Sequence, residues 1–224
     1  MNESIVKEIS TNLNITENQV NVTLQMLSEG NTIPFIARYR KDKTGGLSEE
    51  EIKVIGDAYD YQVNLLKRKE DVIRLIDEKG LLTDELKSQI TNATKLVEVE
   101  DLYRPYKEKK KTKATEAIKN GLEPLAKMIM SCPLNGDIKK LSEKFIKENV
   151  KDETSALEGA KYIIAEWISD NASFRKYIRS NMYKYGTLVT KIKKNAKDEN
   201  KTYEMYYDYS EAVSKIKPHR ILAI

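Results

Sequence analysis

Ser48–Gly80 reads SEEEIKVIGDAYDYQVNLLKRKEDVIRLIDEKG, and this stretch decides the fold. Ser48 with Glu51 three residues on is a capping box: the hydroxyl accepts from a free first-turn amide while the carboxylate reaches back. Ile52, Ile55, Tyr59, Val63, Leu66, Ile73 and Ile76 then recur at helical spacing up to Gly80. About 30 residues rising ~1.5 Å each predict a rod of roughly 45 Å. Its second half mixes both charges at i, i+4 spacing, which suits a solvated surface. Any kink belongs near Lys67–Glu70, where the apolar spacing slips. A polar rod of this length often bridges sub-modules, and the class is all-α.

The flanks agree. Ile5, Ile9 and Leu13 predict a helix from Glu3 to Leu13, and Thr16 with Gln19 forms a second capping box before Val20, Leu24 and Leu27. Two short helices so closely spaced resemble part of a helix-turn-helix, though simple packing helices share the pattern. Pro34 suits the first turn of a short helix carrying Phe35, Ile36 and Tyr39. Arg38, Arg40, Lys41 and Lys43 crowd behind it, before a Gly45-Gly46 break expected to be a mobile turn.

Beyond the rod, helices are expected at Thr83–Asn92, Thr94–Leu102, Lys113–Asn120, Pro124–Met130, Asp137–Glu148, Thr154–Ser169 and Asn171–Met182. Thr154–Ser169 is the most apolar; Gly159 and Ala160 allow close helix contact, and Trp167 is expected at the core's centre. Phe174 and Ile178 are expected to point inward. After Gly186 the character changes. Leu188–Ile192 suits a strand or a helix, so minor strands belong there if anywhere. Four tyrosines, at 203, 206, 207 and 209, follow in one short window. The apolar ending Ile221-Leu222-Ala223-Ile224 predicts a boundary inside a longer protein. Three regions are expected: 1–92, 93–186, and a connecting segment 187–224.

Asp101–Thr115, DLYRPYKEKKKTKAT, carries the second basic cluster. Pro105 lacks an amide hydrogen and restricts Arg104, so a helix ends there; Thr112 can cap the next. Tyr103, Arg104, Tyr106, Lys107, Lys109, Lys110, Lys111 and Lys113 then occupy a corner between helices. Cations beside tyrosines suit phosphates and stacked bases. The bland alternative is a solvated loop whose tyrosines anchor it.

Composition excludes several classes. Lys and Arg number 39 against 35 acids, so any attraction for nucleic acid must come from clustering. A single Cys132 and a single His219 provide neither an intrachain disulfide nor a zinc-ligand set, and the chain reads as cytoplasmic. No apolar run approaches the ~20 residues of a membrane span, so no membrane partner is expected. Gly45-Gly46 lacks the lysine spacing of a phosphate loop. No nucleophile with a histidine base suggests itself. The chain is therefore expected to be no enzyme and to need no cofactor or metal.

Thr32–Lys41 with Thr44-Gly45 and Leu47 resembles the first signature of the bacterial Tex family (transcription accessory protein). Glu100–Tyr103, Pro105–Lys107, Lys109–Thr112 and Ala114-Thr115 resemble its second, continued by Gly121–Ala126. His219–Ile224 resembles a third. Arg104, Glu108 and Lys217 depart from the pattern, and lysines replace arginines in the basic run, which weakens bidentate phosphate recognition. The resemblance implies a cytoplasmic nucleic-acid-binding protein linked to transcription, with family members continuing into a ribonuclease-H-like domain, helix-hairpin-helix motifs and an OB-fold module. Two roles follow for this chain: weak contact with RNA or DNA through its basic clusters, or a scaffold that positions those modules or docks on transcription machinery.

Overall fold

The computed structural model describes residues 2–108, 111–132, 136–194 and 196–224. It divides into two compact units, Met1–Tyr103 and Arg104–Ile224. Both are helical, with one small sheet in the second.

In the first unit, α1 (Glu3–Leu13) and α2 (Glu17–Ser28) pack on each other and on α5 (Glu49–Asp77). Asn14 ends α1 in the left-handed region, and Thr16 with Gln19 forms the expected capping box. Between α2 and α5 stand α3 (Ile33–Tyr39) and the single turn α4 (Lys41–Thr44). Ile5, Val6, Val20, Leu24, Ile36, Ile52 and Ile55 close this core.

The rod α5 is continuous over 29 residues and opens with the Ser48–Glu51 box. The backbone amide and then the hydroxyl of Ser48 hold the Glu51 carboxyl below its ordinary range. Past Tyr59 the buried stripe differs from expectation. Leu65, Val72 and Ile76 are buried, while Leu66 is exposed and Ile73 only half-buried. The helix changes partners there. Its first half serves α1, α2 and α3, whereas its second half faces α6 (Asp84–Asn92) and α7 (Leu96–Tyr103). A straight 3.6-residue helix turns its faces steadily, so the second set of neighbours meets a different row.

The second unit is built around α11 (Glu153–Asp170), which packs on α8 (Lys113–Lys119), α9 (Glu123–Met130) and α10 (Ile138–Glu143). Ala156, Ala160, Ile163, Leu125 and Ala126 form its centre. Gly159 permits the close approach of α8: a Cβ there would sit 2.3 Å from Leu122 Cδ1 and 3.3 Å from Ala117 Cβ. Trp167 is half-buried at the rim of this core, a correction to its expected central place. α10 also ends earlier than predicted, and the chain turns back through a bridge between Lys147 and Val150.

α12 (Ala172–Tyr185) buries none of its residues, so Phe174 and Ile178 face solvent instead of the core. β1 (Thr187–Lys191) and β2 (Asp208–Ala212) then form an antiparallel ribbon with Val189 opposite Ser210. The short α13 (Pro218–Ala223) follows. Arg220 donates to Glu211 Oε1 at 2.7 Å, and the Tyr209 hydroxyl donates to the same carboxylate, which ties α13 to β2.

Candidate nucleic-acid interface

In the first unit the basic corner is a fixed structure, where the sequence suggested a mobile turn. Gln19, besides its capping role, donates from Nε2 to the Thr44 carbonyl at 3.0 Å. Gly45 adopts φ +70°, and a Cβ there would lie 2.7 Å from that same Nε2. The Thr44 side chain is buried and donates to the Arg40 carbonyl at 3.2 Å. α3 and α4 are thereby held at a set angle, with the cations on the outside.

The side chains there form an aromatic–basic surface. The Arg40 guanidinium lies 5.0 Å from the centroid of the Phe35 ring, a cation–π distance. Tyr39 is 66% exposed, 5.4 Å from Phe35. α3 is too short to bury two faces, so Ile36 and Ala37 go inward and Tyr39 goes out. Arg38 pairs loosely with Glu49 at 3.5 Å, both well exposed. Lys41 and Lys43 are exposed, and among the described residues neither is within ion-pair distance of a carboxylate.

The chain from Tyr103 onward differs from the expected stacking corner. Tyr103 is 7% exposed, with the Arg68 guanidinium 5.3 Å from its ring centroid. No base can reach its face, so it is an anchor of the first unit. The acids before it also turn inward: Glu100 pairs with Arg68, and Asp101 is buried.

In the second unit Arg104–Tyr106 forms a 3-10 turn. Arg104 Nε donates to Asp170 Oδ1 at 3.0 Å, joining the turn to the end of α11. Tyr106 is half-buried and Lys107 exposed. Lys109 and Lys110 lie outside the described residues. Lys111 pairs with Glu116 at 2.8 Å, which raises the lysine's pKa and lowers the glutamate's. Lys113 meets the Tyr162 hydroxyl at 3.1 Å and lies 4.8 Å from that ring's centroid. Thr112 caps α8 and donates to Glu166 at 3.1 Å. The open cleft beside the turn, about 490 Å³, contains Glu108, Glu166 and Asp170 as well as Arg104 and Lys107. Arg104 and Lys111 are thus paired locally with acids.

Among the described residues no three of His, Cys, Asp and Glu stand where they could share a metal ion. No helix among them is long and apolar enough to cross a membrane.

Comparison with known proteins identifies the lineage. Residues 3–77 match the Tex-like protein N-terminal domain, and residues 135–224 match the Tex central region-like family. The chain belongs to the Tex family. It is 47% identical over 221 residues to YdcI of Bacillus subtilis (strain 168), covering 97% of this chain and 31% of that protein. It is 34% identical to the transcriptional accessory protein Tex of Neisseria gonorrhoeae, covering 99% of this chain and 29% of the relative. With the human S1 RNA-binding domain-containing protein 1 it shares 28% identity over 235 residues, 23% of that protein's length. The chain thus spans under a third of the length of each of these relatives. The N-terminal domain match ends at Asp77, the last residue of the rod, and the central-region match takes in α10 to α13.

Proposed function

We propose that this Tex-family chain is a non-catalytic helical module of a cytoplasmic transcription-linked protein, and that it contacts nucleic acid weakly and without sequence preference. The α3–α4 corner carries the reading. There an exposed Tyr39 and an Arg40-capped Phe35 stand among Arg38, Lys41 and Lys43, on a backbone fixed by Gln19. Rigid placement lowers the ordering cost of binding. The names of two relatives, one a transcriptional accessory protein and one an S1 RNA-binding domain-containing protein, support the same direction. Lys107, Lys111 and Lys113 with the neighbouring Lys109 and Lys110 supply a second, weaker contact. Arg104 contributes to the architecture of its turn through Asp170 more than to a ligand.

The test is a titration of labelled single-stranded RNA and DNA with the wild type and with Arg38, Arg40, Lys41 and Lys43 changed to glutamine. Loss of affinity with unchanged thermal stability supports the corner. Equal affinity in both proteins removes it from the interface. Docking on transcription machinery is the second reading, supported by the scale of exposed apolar surface in the second unit.

A further inference from the structure

The first unit carries its charge unevenly. Residues 1–37 hold four acids, Glu3, Glu8, Glu17 and Glu29, against the single cation Lys7. The opening of α5, residues 49–62, holds Glu49, Glu50, Glu51, Asp57 and Asp60 against Lys53 alone. The basic corner falls between these two stretches in sequence. Since α1 packs on α5, the two acidic stretches meet.

Where they meet, an open groove of about 350 Å³ runs between the two helices. Leu13 of α1 and Val54, Ala58 and Tyr61 of α5 give it an apolar floor, and Glu8 and Asp57 stand on its rim. Val54 is 41% and Tyr61 40% exposed, so this floor is left uncovered by the unit's own core. Along α5, Glu50, Val54, Asp57 and Tyr61 follow at helical spacing, so acids and apolar side chains alternate on one face. Lys7 and Lys53 do not line the groove. Its walls are held in place. Gln62 Nε2 donates to Glu8 Oε1 at 2.8 Å, tying α5 to α1. The Leu96 amide donates to the Tyr61 hydroxyl at 3.1 Å, which fixes that ring. The neutral Gln62 amide leaves the Glu8 carboxylate its charge. Among the described residues neither Glu8 nor Asp57 has a cation within ion-pair distance.

We infer that the α1–α5 groove docks a basic amphipathic helix of a protein partner. Apolar side chains of that helix, spaced at i and i+4, enter over Val54, Ala58 and Tyr61. Lysines or arginines beside them meet Glu8, Asp57 and Glu50. Charge selects this occupant. The acidic rim repels a phosphate backbone. A second copy docking by the same groove would set Glu8 and Asp57 against their own counterparts, like against like. The apolar floor in turn selects a helix over a purely polar basic tail, which would leave Val54 and Tyr61 uncovered. Size disfavours a small molecule: the groove is open and near the lower end of the roughly 300–1,000 Å³ of ligand pockets. A groove whose walls are already fixed lowers the ordering cost of docking. The inference concerns a partner other than nucleic acid and does not rest on the nucleic-acid reading above.

The experiment selects displayed random peptides of about 16 residues, roughly four helical turns, against the full chain. The recovered sequences are expected to carry apolar residues at i and i+4 with lysine or arginine beside them. The tightest of them is synthesised with a fluorescent label and titrated against the wild type, Val54→Gln, Asp57→Lys and Lys53→Ala. Val54, Asp57 and Lys53 are exposed, so all three variants are expected to melt with the wild type. Val54→Gln and Asp57→Lys are each expected to weaken binding about fivefold or more, and Lys53→Ala is expected not to weaken it. The same peptide with its cations changed to glutamate is expected to bind Asp57→Lys more tightly than it binds the wild type. Peptides recovered without basic residues, peptides whose affinity neither groove variant changes, or no recovered peptide at all would overturn the proposal. Self-association of the wild type that Val54→Gln abolishes, and that no recovered peptide competes away, would make a second copy the occupant and overturn it as well.

Discussion

Arg104 Nε donates to Asp170 Oδ1 at 3.0 Å, and the aspartate side chain is only 11% exposed while the arginine is 48% exposed. The pair clamps the 3-10 turn after Tyr103 to the last residue of α11. Its two members are not equivalent. Removing the arginine leaves a nearly buried carboxylate without this partner, whereas removing the aspartate frees an arginine that can reach water.

Arg104→Ala is therefore expected to cost more stability than Asp170→Asn. A charged hydrogen bond contributes about 1.5–3 kcal/mol when shielded, and the arginine's exposure discounts that to about 1–2 kcal/mol. Urea unfolding measures both. A larger loss in Asp170→Asn would contradict this account of the clamp.

Tyr103→Ala should destabilise the first unit by about 3–5 kcal/mol, the range for large aromatic truncations in cores. Tyr103→Phe keeps the ring under Arg68 and should cost far less. Neither change should alter the salt dependence of nucleic-acid binding. A Tyr103→Ala variant of native stability but reduced affinity would return this residue to the interface.

Gly159→Ala pushes a methyl group to within 2.3 Å of Leu122 Cδ1, a side chain that is itself buried. Overpacking of this kind costs about 1–3 kcal/mol. Ile163→Ala, at the centre of the same core, should cost about 2–5 kcal/mol. Trp167→Ala should cost less than Ile163→Ala, because the indole sits at the rim. Thermal melts of the three variants rank them.

The ribbon end of the second unit should loosen in acid. The Tyr209 hydroxyl, then Arg220, hold the Glu211 carboxyl below its ordinary 4.5. The Tyr203 amide, then the Tyr207 hydroxyl, hold Asp198 below its ordinary 3.8. Depressed folded values mean that the stabilisation is complete above the unfolded pKa values and is lost as pH falls through the folded ones. Near-UV circular dichroism should therefore stay constant from neutrality down to about pH 4.5 and change below it. A transition centred near neutral pH would mean that other groups hold the ribbon.

Much of the fold was legible in local chemistry. Ser48 with Glu51, Thr16 with Gln19, and Thr112 mark true helix starts because capping depends on residues three apart. Gly159 announced a close helix contact for the same local reason: it lacks a Cβ. What periodicity could not give was which neighbour a face meets. The stripe on α5 moved to Leu65 and Val72 because α6 and α7 approach from a new side, and the apolar stripe on α12 has no neighbour among the described residues to bury it. The site was harder to read. Tyrosine suits a core as well as a base, so Tyr103, expected at the stacking corner, is buried, while Tyr39 stands exposed beside its basic cluster.

The measurement that bears most directly on nucleic-acid contact is the salt dependence of single-strand affinity for the intact chain. Each phosphate engaged contributes roughly 0.7 to the log–log slope. The account predicts measurable binding at low salt with a slope of about −3 or steeper, reflecting four or more engaged cations. It also predicts that slope to flatten when the cations of the α3–α4 corner become glutamine. Binding that is absent at low salt, or a slope near zero, would contradict it and leave docking to protein partners as the role of these surfaces.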